Sequence, residues 1–155
     1  GRIALWLSSP AGSGSIALGK TLGLWLGLLP LVVTACATLA LLGTGIALDL
    51  PRFLLAVVGL VLFSLWLACI TVWLSGLFDH PAAALAASYG LLLSLWLLDS
   101  FAGGEARWDS VALLPHIEPL LRGLLRGEDL LYFASTGAAA ILLTTHRLDR
   151  QRGLA

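Results

Sequence analysis

The chain has 155 residues, 59% of them hydrophobic and only 12% charged, with a mean hydropathy of +0.95. A soluble domain carries about 25% charged residues to cover its surface, so this composition excludes an ordinary water-soluble globule and selects a bilayer as solvent. Nine Lys and Arg balance nine Asp and Glu, which removes any global charge argument for nucleic acid as a partner.

The opening Gly1-Arg2 is followed by an apolar stretch, Ile3 to Leu7, too short for the core of a signal peptide. Methionine is absent throughout, position 1 included, which leads us to expect a processed product or a fragment whose start lies upstream.

A bilayer-crossing helix needs about 20 predominantly apolar residues. Residues 21–48 contain no ionisable group and stop at Asp49, Pro51 and Arg52. Residues 53–78 are equally charge-free and stop at Asp79-His80-Pro81. Pro81 suits the first turn of the next helix, residues 82–98, which ends at Asp99. The last run, residues 130–145, is bracketed by Glu128-Asp129 and His146-Arg147. The fold expected is an all-α membrane protein with four transmembrane helices forming one domain over residues 1–155. Gly23 and Gly27, Ala83 and Ala87, and Ala86 and Gly90 place small residues at the four-residue spacing that lets helices approach closely in lipid. Pro30 is expected to kink the first span.

Four crossings put both termini on one side, with Arg2, Lys20, Arg147, Arg150 and Arg152 there and Arg52, Arg107, Arg122 and Arg126 opposite. The basic cluster directly after the last span favours the first side as cytoplasmic, in an inner (plasma) membrane.

Between the third and fourth runs lies an amphipathic segment, residues 110–127. Leu113, Leu114, Ile117, Leu120, Leu121, Leu124 and Leu125 recur every three to four positions, and Glu118 and Arg122 stand four apart on the polar side. At about 15 residues it is too short to span and is expected to lie in the interface or to re-enter as an outer rim.

Gly14, then four intervening residues and Gly19-Lys20-Thr21, fits the pattern of a phosphate loop. That motif works only after a buried strand beside a parallel sheet, and here Lys20 stands at the mouth of a membrane span. The favoured reading is an interfacial anchor whose ammonium reaches water. The spans carry no ionisable group of the kind that proton coupling or intramembrane chemistry requires. His80, His116 and His146 are read as solvated helix-end residues, and Cys36 and Cys69 as small buried hydrophobes. The polar loop 99–109, with Asp99, Glu105 and Asp109, offers either a solvated turn at Gly103-Gly104, the favoured reading, or a headgroup or metal site.

Two patches carry a family resemblance. The first runs from Gly1 through Leu5, Trp6, Ser9 and Pro10 to Gly19-Lys20; the second from His116-Ile117-Glu118 through Arg122-Gly123, Arg126 and Asp129 to Tyr132-Phe133, followed by Leu143-Thr144 and a basic tail. In this order they resemble the C-terminal part of permease subunits of type-2 ATP-binding-cassette exporters, in the subgroup associated with gliding motility and nitrous oxide reductase maturation. The chain departs from that pattern at Ala4 and Gly14, where a glutamate and an arginine are usual.

The resemblance implies that residues 1–15 form a cytoplasmic coupling segment, with Leu5, Trp6, Ser9, Pro10, Gly19 and Lys20 contacting an ATPase. It implies an outer gate formed by Glu118, Arg122, Gly123, Arg126, Asp129, Tyr132 and Phe133. The partners it implies are a cytoplasmic ATP-binding subunit, a second permease half and membrane lipid, with no nucleic acid. No cofactor is expected in this chain, since ATP would be bound by the partner subunit. The family has two further spans before the coupling segment. The competing expectation is a membrane-embedded enzyme or assembly factor with its site in the loop 99–109.

Overall fold

The computed structural model describes residues 12–43, 49–102 and 112–153, with the side chains of 99–102 and 152 outside that description. The described residues form five α-helices: α1 Ser13–Leu42, α2 Leu50–Leu77, α3 Pro81–Ala102, α4 Leu114–Leu121 and α5 Gly127–Gly153. Three stretches, Ser13–Leu42, Leu50–Leu77 and Pro81–Leu98, are long and apolar enough to cross a membrane. This makes the protein all-helical over the described residues and suited to a multi-pass membrane role. The apolar stretch of α5 is the shortest of the long helices, because Asp129 enters its first turn and Arg147 its last third.

The helices outrun the apolar stretches that generate them. α1 starts at Ser13, well before residue 21, so Lys20 lies on the helix shaft and not at its mouth. Nothing between Ser13 and Lys20 obliges the chain to leave helical geometry. A hydrogen bond between the Ser13 hydroxyl and the Asp149 carboxylate ties this extension to α5. Gly43 caps α1, and residues 44–48 of the expected span lie outside the described residues. Pro30 sits inside α1 and cannot donate to the carbonyl of Leu26. Its own carbonyl accepts from the Thr34 hydroxyl at 2.7 Å.

At the start of α2, Pro51 occupies the first turn, where a missing N–H costs nothing. α2 contacts all four other helices. A third of its apolar window is buried (33%), against 6% in α1 and in α3. Trp66, Cys69, Ile70 and Leu74 of α2 form the core with Leu113, Leu120, Phe133 and Ala140. The stripe Asp129, Phe133, Gly137 and Ala140 is the buried face of α5, spaced for one side of a helix.

Contacts fix the directions of the helices. Lys20 of α1, residues 71–76 of α2 and residues 144–151 of α5 share one end, here the lower end. Arg52 of α2, Gly123 and the start of α5 meet at the opposite, upper end. α2 and α5 therefore run parallel, α1 antiparallel to both, and all three extend between the two ends. At 27 residues α5 is about 40 Å long.

Of the amphipathic segment expected over 110–127, residues 110–111 lie outside the described residues, and residues 112–126 are helical from Leu114 to Leu121. Its end is chemically determined. Gly123 adopts φ +74°; its N–H donates to Leu120 O at 3.0 Å, and that of Leu124 to Pro119 O at 2.8 Å. This paired pattern is the Schellman termination that a left-handed glycine permits. Leu120, Leu113 and Ile117 turn inward, while Leu121 and Leu124 join Glu118 and Arg122 on the exposed side.

Candidate functional site at the upper end

The upper end is built around α4. Leu120 is 1% exposed and lies over Gly59 of α2, where an added Cβ would come within 2.8 Å of Leu120 Cδ2. Gly123 approaches even more closely: a Cβ there would stand 2.4 Å from the Arg52 carbonyl oxygen. Both contacts need glycine for space, and Gly123 needs it for its backbone angle as well.

With α4 pinned in this way, His116 in its first turn meets Asp129 in the first turn of α5. The Nδ1–Oδ1 distance is 2.8 Å, and the side chains are 14% and 3% exposed. Tyr132, one turn further along α5, stacks on the imidazole with ring centroids 4.2 Å apart and planes 14° from parallel. Tyr132 also meets Phe133 edge-on. Phe133 in turn packs edge-on against Trp66 and Phe63 of α2. The Trp66 indole N–H donates to Thr136 Oγ1 at 2.8 Å. The His–Asp pair is thus anchored through aromatic contacts to the core.

The expectation of a solvated His116 is overturned: it is enclosed and paired, because the Gly123 turn folds α4 back onto the start of α5. His80 is exposed just before α3, and His146 is exposed on the shaft of α5, not at its end. With Nδ1–H donating to Asp129, a neutral His116 presents Nε2 as an acceptor. Nε2 and Asp129 Oδ2 are both buried without a hydrogen-bond partner among the described residues. Such atoms are uncommon in folded proteins, and each leaves about 1–3 kcal/mol of desolvation uncompensated. Together they present two acceptors to a donor group such as water, a hydroxyl or an ammonium. Among the described residues no three His, Cys, Asp or Glu side chains converge as a metal cluster would require.

A cleft lined by His116, Asp129 and Tyr132 and rimmed by Arg126, Glu128 and Ser135 opens at this point. Of the residues expected at the outer gate, Gly123, Asp129, Tyr132 and Phe133 therefore join in one packed unit. Glu118 and Arg122 form an exposed ion pair with each other across one turn, and Arg126 stands exposed at the cleft rim. Among the residues expected at the coupling segment, Leu5, Trp6, Ser9 and Pro10 lie outside the described residues, as does most of the loop 99–109. Gly19 and Lys20 are exposed on α1 at the lower end. Sequence reasoning missed the His116–Asp129 pairing. Its signal was an ionisable residue on each side of a helix-ending glycine, with the second one opening the next helix.

No protein-family model, no curated protein and no solved structure matches the chain.

Proposed function

We propose that this protein is the membrane-spanning permease subunit of an ATP-driven exporter of the type-2 cassette class. In this reading α5 supplies a fourth crossing, the lower end faces the cytoplasm of an inner (plasma) membrane, and ATP is hydrolysed by a separate partner subunit. The observation that carries it is the seating of α4. A short amphipathic helix, locked to α2 by Gly59 and Gly123 and to α5 by His116 and Asp129, suits an outer gate that moves with the spans. The end-to-end run of α5 beside α2 supports the fourth crossing. The broad exposed apolar faces of α1 and α3 agree with contact to lipid and to a second permease half. The coupling role rests on the resemblance at Leu5, Trp6, Ser9 and Pro10, with Gly19 and Lys20 following on α1.

The test is to isolate the full chain from its native membranes in mild detergent and assay for ATP hydrolysis. A soluble ATP-hydrolysing subunit should accompany it, and a Trp6→Ala, Pro10→Ala double variant should insert normally but lose that companion. Absence of any ATP-hydrolysing companion would sink the exporter reading.

One observation favours a second reading, a membrane-embedded enzyme or assembly factor. A histidine oriented by a carboxylate, with its second nitrogen unpartnered among the described residues, is the arrangement of a general base. Asp129→Asn would then abolish activity while His80→Gln would not.

A further inference from the structure

At the lower end α1, α2 and α5 part to form a cleft of about 310 Å³, a size that admits a small organic ligand. Lys20 enters it from α1 and Arg147 from α5. Neither takes part in an ion pair among the described residues. Asp149, on the same stretch of α5, accepts from Ser13 instead. Thr71, Ser75, Thr144 and Gln151 add hydroxyl and amide groups to its lining, and Leu24, Val72 and Trp73 add apolar surface.

The depth of the two cations is as informative as their charge. Lys20 directly precedes the charge-free residues 21–48, and Arg147 follows one residue after the charge-free residues 130–145. Both therefore are the first cations met beyond a charge-free run, on neighbouring antiparallel helices. Two cations, polar side chains and apolar side chains lining one cleft are complementary to an anionic head joined to a hydrocarbon tail. Basic pockets between membrane helices recognise anionic headgroups by this combination.

We infer that this cleft binds the phosphate headgroup of an anionic phospholipid, with Lys20 and Arg147 flanking the phosphate and the acyl chain lying against the apolar side chains of the lining, Leu24 among them. Arg147 supplies planar paired donors suited to phosphate oxygens, and Lys20 a mobile point charge. The inference rests on α1, α2 and α5 crossing a bilayer and is independent of what drives the protein; absence of an ATP-hydrolysing companion leaves it standing.

The experiment uses the full chain, purified and stripped of lipid, with phosphatidylglycerol, phosphatidylcholine or inorganic phosphate added separately. Retention is read by native mass spectrometry and the unfolding midpoint by a thermal scan. Phosphatidylglycerol should remain bound and raise the midpoint, and phosphatidylcholine should do neither. Lys20→Gln and Arg147→Gln should each weaken retention about fivefold, from a headgroup attraction of about 1 kcal/mol per cation. The charge-keeping variant Lys20→Arg, Arg147→Lys should retain most of the binding, and Arg52→Gln at the upper end all of it. Equal retention of phosphatidylcholine, undiminished binding by the double Gln variant, or loss of binding in the charge-keeping variant overturns the assignment. Equal stabilisation by inorganic phosphate overturns it in favour of a soluble anion.

Discussion

The two ends of the bundle treat charge in opposite ways. At the upper end Asp49 meets Arg52, Glu118 meets Arg122 and His116 meets Asp129. Both Arg–carboxylate ion pairs among the described residues and the His116–Asp129 hydrogen bond lie there. At the lower end Lys20 and Arg147 face a common cleft with no carboxylate between them. The upper end joins most of its polar groups within its own chain, through a glycine turn and a buried polar pair that keeps two acceptors, His116 Nε2 and Asp129 Oδ2, for a further donor. The lower end leaves its charge for something else to complete. A stability measurement in detergent should therefore be sensitive to upper-end substitutions and indifferent to lower-end ones, whereas a lipid-binding measurement should show the reverse.

The sharpest break of that contrast is Gly123→Ala. It places a side chain at φ +74° and 2.4 Å from the Arg52 carbonyl oxygen. The left-handed angle costs about 1–2 kcal/mol and the forced backbone shift adds about as much again. Thermal unfolding should show a loss of about 3 kcal/mol, or no folded protein recovered. A variant as stable as the parent would mean that α4 is not seated on α2.

Asp129→Ala comes next, with a loss of about 2–3 kcal/mol, because it strands a buried imidazole. A double-mutant cycle with His116→Ala should return a coupling of about 1–3 kcal/mol; additive losses would mean that the two side chains do not meet. Gly59→Ala should cost about 1–2 kcal/mol by pressing on Leu120, and Leu120→Val in the same chain should recover part of it. Trp66→Phe removes one cross-helix hydrogen bond, about 0.6 kcal/mol on average in a membrane protein, and leaves a small cavity in the core, so the loss should be about 1 kcal/mol. Lys20→Gln with Arg147→Gln should change the lipid-free unfolding midpoint least of all, by less than about 0.5 kcal/mol.

The long helices were legible because lipid imposes a single requirement, an uninterrupted apolar run, and residues 21–48, 53–78 and 82–98 meet it. Their ends were not. A helix continues through Ser13–Thr21 or Thr145–Gly153 as long as nothing breaks it, and hydropathy does not register that continuation. α4 shows the converse. Its period suggested a helix as far as Leu125, but Gly123 takes the left-handed conformation and ends it at Leu121. The Glu118–Arg122 pair was readable, being set by helix geometry alone. His116 and Asp129 were not readable as partners. They lie on two different helices, and the turn between them decides whether they meet. The space above Gly59 was equally hidden, since it depends on which face of α2 receives Leu120.

One further property follows from two indoles. Trp25 of α1 donates to Ser64 at 3.1 Å, and Trp66 donates to Thr136 of α5 at 2.8 Å. Ser64 and Trp66 are two positions apart on α2, about 200° around its axis. They hold the helix from nearly opposite sides, like two spokes of one wheel. Any spin of α2 about its long axis must stretch both spokes together, while a tilt about their common level strains neither.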